Sequence, residues 1–227
     1  MNGWMGKKIV TFAVAAITGA VGIKCAQADV ILSWNSTAGF AGTETSLGVA
    51  AYGSGVAASG GAITRSGLSG NAGGGSFNSA GFNVTTNFLT FALTTTSTGS
   101  YDLTDFQIQD RASGTGPRDL GLYYSGNNFA SPIAIWSDAA GAGTQQEDPT
   151  ISAVTLSPAT TYTFEIKTTD GTSNSGGSIG SSGTYRIISP TIALNGTAVT
   201  VATPEPASLS IAAFAGTALL ARRFRKI

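Results

Sequence analysis

TYTFEIK, residues 161–167, alternates without interruption: Tyr162, Phe164 and Ile166 fall on one side, and Thr161, Thr163, Glu165 and Lys167 on the other. A period of two marks a half-buried β-strand, because successive side chains leave a pleated backbone on opposite faces. The same pattern extends outward from this stretch. RDLGLYYS (118–125) sets Leu120, Leu122 and Tyr124 on one face, and NFLTFALT (87–94) sets Leu89, Phe91 and Leu93. TYRII (184–188) offers Tyr185 and Ile187, and TIALN (191–195) offers Ile192 and Leu194. With VILSW, YDLTDFQIQ, SPIAIW, ISAVTL and AVTV, about ten short strands result, bounded by Gly, Asn, Ser and Pro. No stretch of the body sustains the 3.6-residue apolar stripe of a helix. The fold class predicted is all-β, an antiparallel two-sheet β-sandwich or jelly roll. Phe91, Leu120, Leu122, Tyr162, Phe164, Ile166, Tyr185 and Ile187 should lie inside it. Asp105 breaks the alternation between Leu103 and Phe106, which predicts a turn or bulge there. Gly39 to Gly81 reads as long loops with short edge strands, and Thr172 to Gly183 as a flexible loop joining two strands.

The two ends have a different character. Lys7 and Lys8 precede an uncharged run from Ile9 to Ile23, and Ala26-Gln27-Ala28 follows with small residues where a signal peptidase cuts. Residues 1–28 therefore read as a secretory signal peptide, cleaved to leave Asp29 first. Cys25 is the one cysteine of the chain and leaves with that segment, so the mature protein can form neither a disulfide nor a Cys-based metal site. At the other end, Pro204-Glu205-Pro206 is followed by fifteen uncharged residues, Ala207 to Ala221, and then by Arg222, Arg223, Arg225 and Lys226. As a helix, that run would be about 22 Å long, short of the roughly 30 Å of a bilayer's hydrocarbon core. Such a span suits a temporary stop better than a permanent anchor. Its basic tail should stay cytoplasmic.

Pro204-Glu205-Pro206, the short hydrophobic helix and the basic cluster together resemble the PEP-CTERM sorting signal. The resemblance covers about the last 25 residues. It implies that Pro204, Glu205 and Pro206 form a motif read by an exosortase, a membrane protease-transpeptidase of bacteria that make extracellular polysaccharide. It also implies that Arg222, Arg223 and Arg225 form the stop, extended here by Lys226. The span departs from the family in being rich in Ala, Ser and Thr, where Leu and Gly are usual. The body, through AITRSGLSG, SFNSAGF, DRASGTGPRDLGLYYS and TYRI, is similar to the secreted sandwich domains found upstream of such signals. That similarity bears on fold more than on activity. The organisation expected is a signal peptide (1–28), a secreted β-sandwich domain (29–203) and a sorting signal (204–227). The protein would be secreted or displayed at the cell surface, held transiently at the inner membrane by its C-terminal helix.

The body carries eleven acidic residues and five basic ones (Arg65, Arg111, Arg118, Lys167 and Arg186), about −6 in all. That argues against nucleic acid as a partner, since its binding rests on Lys and Arg neutralising phosphates. Histidine is absent from the chain, which removes Ser-His-Asp and Cys-His catalysis and His ligation of metals. Three kinds of chemistry stay open. Carboxylate pairs drawn from Asp102, Asp105 and Asp110, or from Asp138, Glu147 and Asp148, could hydrolyse glycosides. Calcium, which needs oxygen ligands alone, could take Glu147, Asp148 and Asp170; no other cofactor is expected. A glycan could rest on Tyr123 and Trp136 beside Arg118, with Tyr124, Trp34 and Asn127-Asn128 as further candidates; Tyr123 should face solvent by the alternation of its strand. Arg111 and Arg118, flanking ASGTGP, should pair with Asp110 and Asp119 to pin a turn. With neither His nor Cys, and with no carboxylate pair in a recognisable motif, the expectation is a non-enzymatic extracellular-matrix or cell-surface protein. Signal peptidase and exosortase would process it, and extracellular polysaccharide would be its partner. The alternatives are a carboxylate-dependent glycan-active enzyme or a lectin-like carbohydrate-binding module.

Overall fold

The computed structural model describes residues 28–35, 40–53, 56–73, 75–138, 143–188 and 192–199. The expected signal peptide, apart from its last residue, and the expected sorting signal, with its Pro204-Glu205-Pro206 motif, helix and basic tail, lie outside the described residues. Sixteen strands are described, joined by loops and one 3-10 turn, Ser125–Asn127. All pairings are antiparallel and form two sheets. Among the described residues, no helix is long and apolar enough to cross a membrane.

The first sheet is organised around its longest strand, β9 (Tyr101–Ala112). Along one side of β9 run β16 (Ile192–Ala198) and β15 (Thr184–Ile187), one after the other. Along its other side run β12 (Gln145–Glu147) and β13 (Thr155–Leu156). Beyond β16 lie β1 (Asp29–Trp34) and β3 (Val49–Tyr52), and beyond β15 lie β7 (Phe77–Ala80) and β6 (Ser69–Gly70). The second sheet has the order β11 (Ala134–Ser137), β10 (Asp119–Tyr124), β14 (Thr161–Thr168), β8 (Phe88–Thr95), β5 (Ile63–Ser66) and β2 (Ser46–Leu47), with β4 (Val56–Gly60) also on β8.

The alternation predicted from residues 161–167 is what joins the sheets. Phe164 on β14 is in register with Phe91 on β8, and their rings stack at 4.9 Å. Phe91 then meets the opposite sheet through Trp34 at 4.6 Å and Phe106 at 6.5 Å. Phe106 reaches back to Trp136 at 5.7 Å. All eight residues expected inside belong to this buried cluster.

The irregularity expected at Asp105 is present. β9 pairs Asp105 with Asn195 but Leu103 with Gly196, so Thr104 is the extra residue of a bulge. Gly196 is required opposite it, because a Cβ there would lie 2.7 Å from the Asp102 carbonyl. The bulge resets the inward phase from Tyr101 and Leu103 to Phe106, Ile108 and Asp110.

Three expectations are corrected. TIALN and AVTV are not separate strands, since β16 runs unbroken from Ile192 to Ala198. Gly39 to Gly81 carries six strands, and β7 within it is interior, paired to both β15 and β6. Arg65 organises this segment: it donates to the Gly42, Glu44 and Asn78 carbonyls and to Ser79 Oγ, and its guanidinium lies 3.8 Å over the Phe77 ring. Finally, Thr172 to Gly183 is not a loose connection. Ser173 N donates to Gly177 O, Asn174 N to Gly116 O and Gly180 N to Thr115 O, and Ser173 and Asn174 are buried. Low sequence complexity here reflects close backbone packing against residues 113–117.

Candidate functional site

The three residues expected to contact a glycan do not share a face. β11 alternates with Ala134 and Trp136 inward and Ile135 and Ser137 outward. Trp136 is accordingly 4% exposed, with its indole N–H donated to Asp110 Oδ2 at 2.8 Å. It is a core residue here, and no sugar platform is available on it. Tyr123 does sit on the face opposite Leu122 and Tyr124, but it is covered rather than solvent-facing, at 9% exposure. Its ring folds back over Gly121. The Lys167 ammonium lies 4.2 Å from the ring centroid, held in turn by Glu165 at 2.9 Å. Burial raises the phenol's pKa. Arg118, its side chain 41% exposed, pairs with Asp119 at 2.7 Å and with Asp170 at 3.5 Å. The expected Arg118–Asp119 pair is therefore present. The companion pair of Arg111 with Asp110 is not, because Asp110 points inward and Arg111 acts instead on Asp138.

Asp110 is the least expected feature of the molecule. It occupies an inward position of β9, fully buried, and its Oδ2 accepts from Tyr185 Oη at 2.5 Å and Trp136 Nε1 at 2.8 Å. Tyr185 belongs to the neighbouring strand and Trp136 to the other sheet, so one carboxyl oxygen ties both sheets together. Burial is the main cause that pushes the carboxyl up to about 7. The two donors oppose the shift, and the charges of Asp138 and Glu147 add to it. Asp138, just beyond β11, is also fully buried; it accepts from the Ala112 amide and from Asn174 Nδ2. Burial raises its pKa too, against those two donors and Arg111. Glu147 on β12 is raised by burial and then by Asp138 and Asp148. The carboxylates considered for glycoside hydrolysis thus include two that are sealed from solvent. Of the calcium candidates, Asp170 is engaged by Arg118 and by the Thr172 amide at 2.9 Å. Among the described residues, no three acidic, His or Cys side chains are grouped so as to hold a metal ion.

An open concavity lies elsewhere among the described residues. A groove of about 470 Å3 runs between the β11 edge of one sheet and residues 150–154, along the edge of the other. Its walls include Tyr124, Asn127, Ser131, Ile135, Thr150 and Ser152. Of these, Tyr124 and Asn127 are sugar candidates from the sequence; Ser131, Ile135, Thr150 and Ser152 are passed over by it, because such residues in turns and at strand edges carry no motif. What brings them together is the pairing of residues 145–156 along β9, which periodicity does not reveal. Set against protein-family models, curated proteins and solved structures, the chain matches none.

Proposed function

We propose that this chain is an exported, non-enzymatic protein of the extracellular matrix or cell surface, processed at its C-terminal sorting signal and associated with exopolysaccharide. The observation that carries the reading is the ordered layout of the last residues: Pro204-Glu205-Pro206, an uncharged span too short for a comfortable anchor, and Arg222, Arg223, Arg225 and Lys226. The hydrophobic segment with its Ala26-Gln27-Ala28 site at the other end supports export. Between them lies an all-β body of the kind that displays loops and edges to a surrounding matrix. The sandwich would begin at Asp29, and a sorting helix would follow Pro206. Burial of Asp110 and Asp138 favours the non-enzymatic version over the glycosidase. Their carboxyls are buried and taken up by hydrogen bonds from Tyr185, Trp136, Asn174 and the Ala112 amide.

The test is Glu205→Ala in the native host. The parent chain should appear as a shortened form in the medium or matrix, and the variant as a longer form retained in the membrane. Equal size and equal release of the two would reject processing at this motif, and a parent chain found in the cytosol alone would reject export.

A further inference from the structure

We infer that the groove between β11 and residues 150–154 binds an uncharged polysaccharide segment, an assignment that rests on the exopolysaccharide reading above and specifies its site and ligand class. At about 470 Å3 the groove falls in the size range of small-ligand sites. Its chemistry is that of a sugar's complement. Ser131, Thr150 and Ser152 offer hydroxyls, Tyr124 a half-buried ring, and Ile135 an apolar surface that is 56% exposed. Asn127 donates from Nδ2 to the Ser131 carbonyl at 3.0 Å, which ties two residues of the wall together.

Charge selects within the glycans. Among the described residues, no Asp, Glu, Lys or Arg lines the groove, and the body around it carries about −6. A uronate or sulfated chain would meet no counter-charge and a repulsive field. A neutral chain meets neither difficulty.

A peptide adding itself as a strand is the rival occupant, since both walls are sheet edges. The walls are poor templates for it. Pro132 lacks an N–H, and Ala153 is left-handed at φ 51°, which interrupts the edge between the Asp105–Thr150 bridge and β13. Scattered hydroxyls with a broken ladder match a ligand that takes isolated hydrogen bonds.

The full-length chain in detergent micelles provides the test, by affinity electrophoresis. The probes are soluble neutral glucans, galactans and mannans, a uronic-acid polymer, and the neutral and acidic fractions of the host's own polysaccharide. Ser152 is exposed, so Ser152→Trp should fill the groove without unfolding the protein, which an unchanged melting temperature verifies. Val84→Ala, at an exposed position off the groove, is the control. The expected result is binding of neutral chains in preference to acidic ones, weakened at least tenfold by Ser152→Trp and retained by Val84→Ala. Preference for the uronic-acid polymer, or neutral binding that Ser152→Trp leaves intact, overturns the groove assignment while the exopolysaccharide reading stands. Failure of every polysaccharide to bind the parent chain overturns both.

Discussion

Asp110 makes a pH response of the fold calculable. In the unfolded chain its carboxyl titrates near 3.8; in the folded one burial, opposed by Tyr185 and Trp136 and reinforced by Asp138 and Glu147, brings it to about 7. Between those values the folded state keeps a proton that the unfolded state releases. The stabilisation is therefore fully present below about pH 4 and is lost as pH rises through about 7. A gap of roughly three units, at about 1.4 kcal/mol each, amounts to about 4 kcal/mol. In a domain of this size that corresponds to roughly 8–16 °C of melting temperature. Asp138 and Glu147, also raised, act in the same direction. Glu44 and Asp170 are lowered and act oppositely, but both are exposed enough for solvent to screen them.

Asp110→Asn isolates the effect, because its amide oxygen can accept from Tyr185 and Trp136 without ever becoming charged. Near-ultraviolet circular dichroism of the full chain, melted at intervals from pH 5 to pH 8, reads it. Only about two of the three units lie above pH 5, so the parent should lose about 6–11 °C across that range. The Asn variant should lose much less and be the more stable of the two at pH 8, with a residual slope from Asp138 and Glu147. Asp110→Ala should be weaker at every pH, since it leaves two buried donors without an acceptor at about 1–3 kcal/mol each. A parent melting temperature that is flat from pH 5 to 8, or an Asn variant with the parent's slope, would refute the reasoning.

Two further outcomes follow from the same structure. Arg65→Ala removes the donor to four oxygens around Gly42, Glu44, Asn78 and Ser79 and the cation over Phe77; it should cost about 3 kcal/mol or more in urea unfolding, and a loss below about 1 kcal/mol would show that this network contributes little. Gly116→Ala would place a Cβ 2.2 Å from the Thr184 carbonyl; it should lower the unfolding midpoint by about 1–3 kcal/mol or more, and an unchanged midpoint would mean that the 113–117 turn yields more easily than its packing against residues 172–183 implies.

Much of the sheet framework is legible from period two alone, and the limits of that reading have physical causes. Alternation gives the inward set of β8 and β14 directly, because these strands are regular and each has one face on the core. It fails at Tyr123, where the outer face of β10 is itself covered by Lys167, Phe129 and Pro132. Alternation assigns a side, and only neighbours from other strands decide whether that side is wet. The reading of Trp136 fails for the complementary reason. Its strand is short, SPIAIW does not say which of Ile135 and Trp136 points inward, and the deciding partner is Asp110, 26 positions away. Asp110 follows Phe106 and Ile108 in phase, so period two sets it inward, but a carboxylate there reads as a solvated strand-end residue until its donors Tyr185 and Trp136, distant in sequence, are known. Glycine- and serine-rich stretches mislead in the opposite sense. Composition suggests looseness, whereas at Gly116 and Gly183 the missing side chains allow two backbone segments to touch.

The topology bears on how such a domain would be held. β1 begins and β16 finishes side by side, with Asp29 opposite Gly196 and Ala198 opposite Tyr101. From Val199 to Pro204 the chain can reach at most about 18 Å, so a sorting motif at Pro204 would be tethered within that distance of the end of β16. On the proposed reading, attachment at the motif is transmitted into β16. That strand lies between β1 and β9, with partners on both sides. A load applied there must open two ladders before the strand comes free, whereas an edge strand such as β11 would yield one. The edges, left without this task, are the walls of the groove. On that reading, attachment and ligand contact would fall on different strands: β16, inside one sheet, would carry the tether, and the two edges that line the groove would face the polymer.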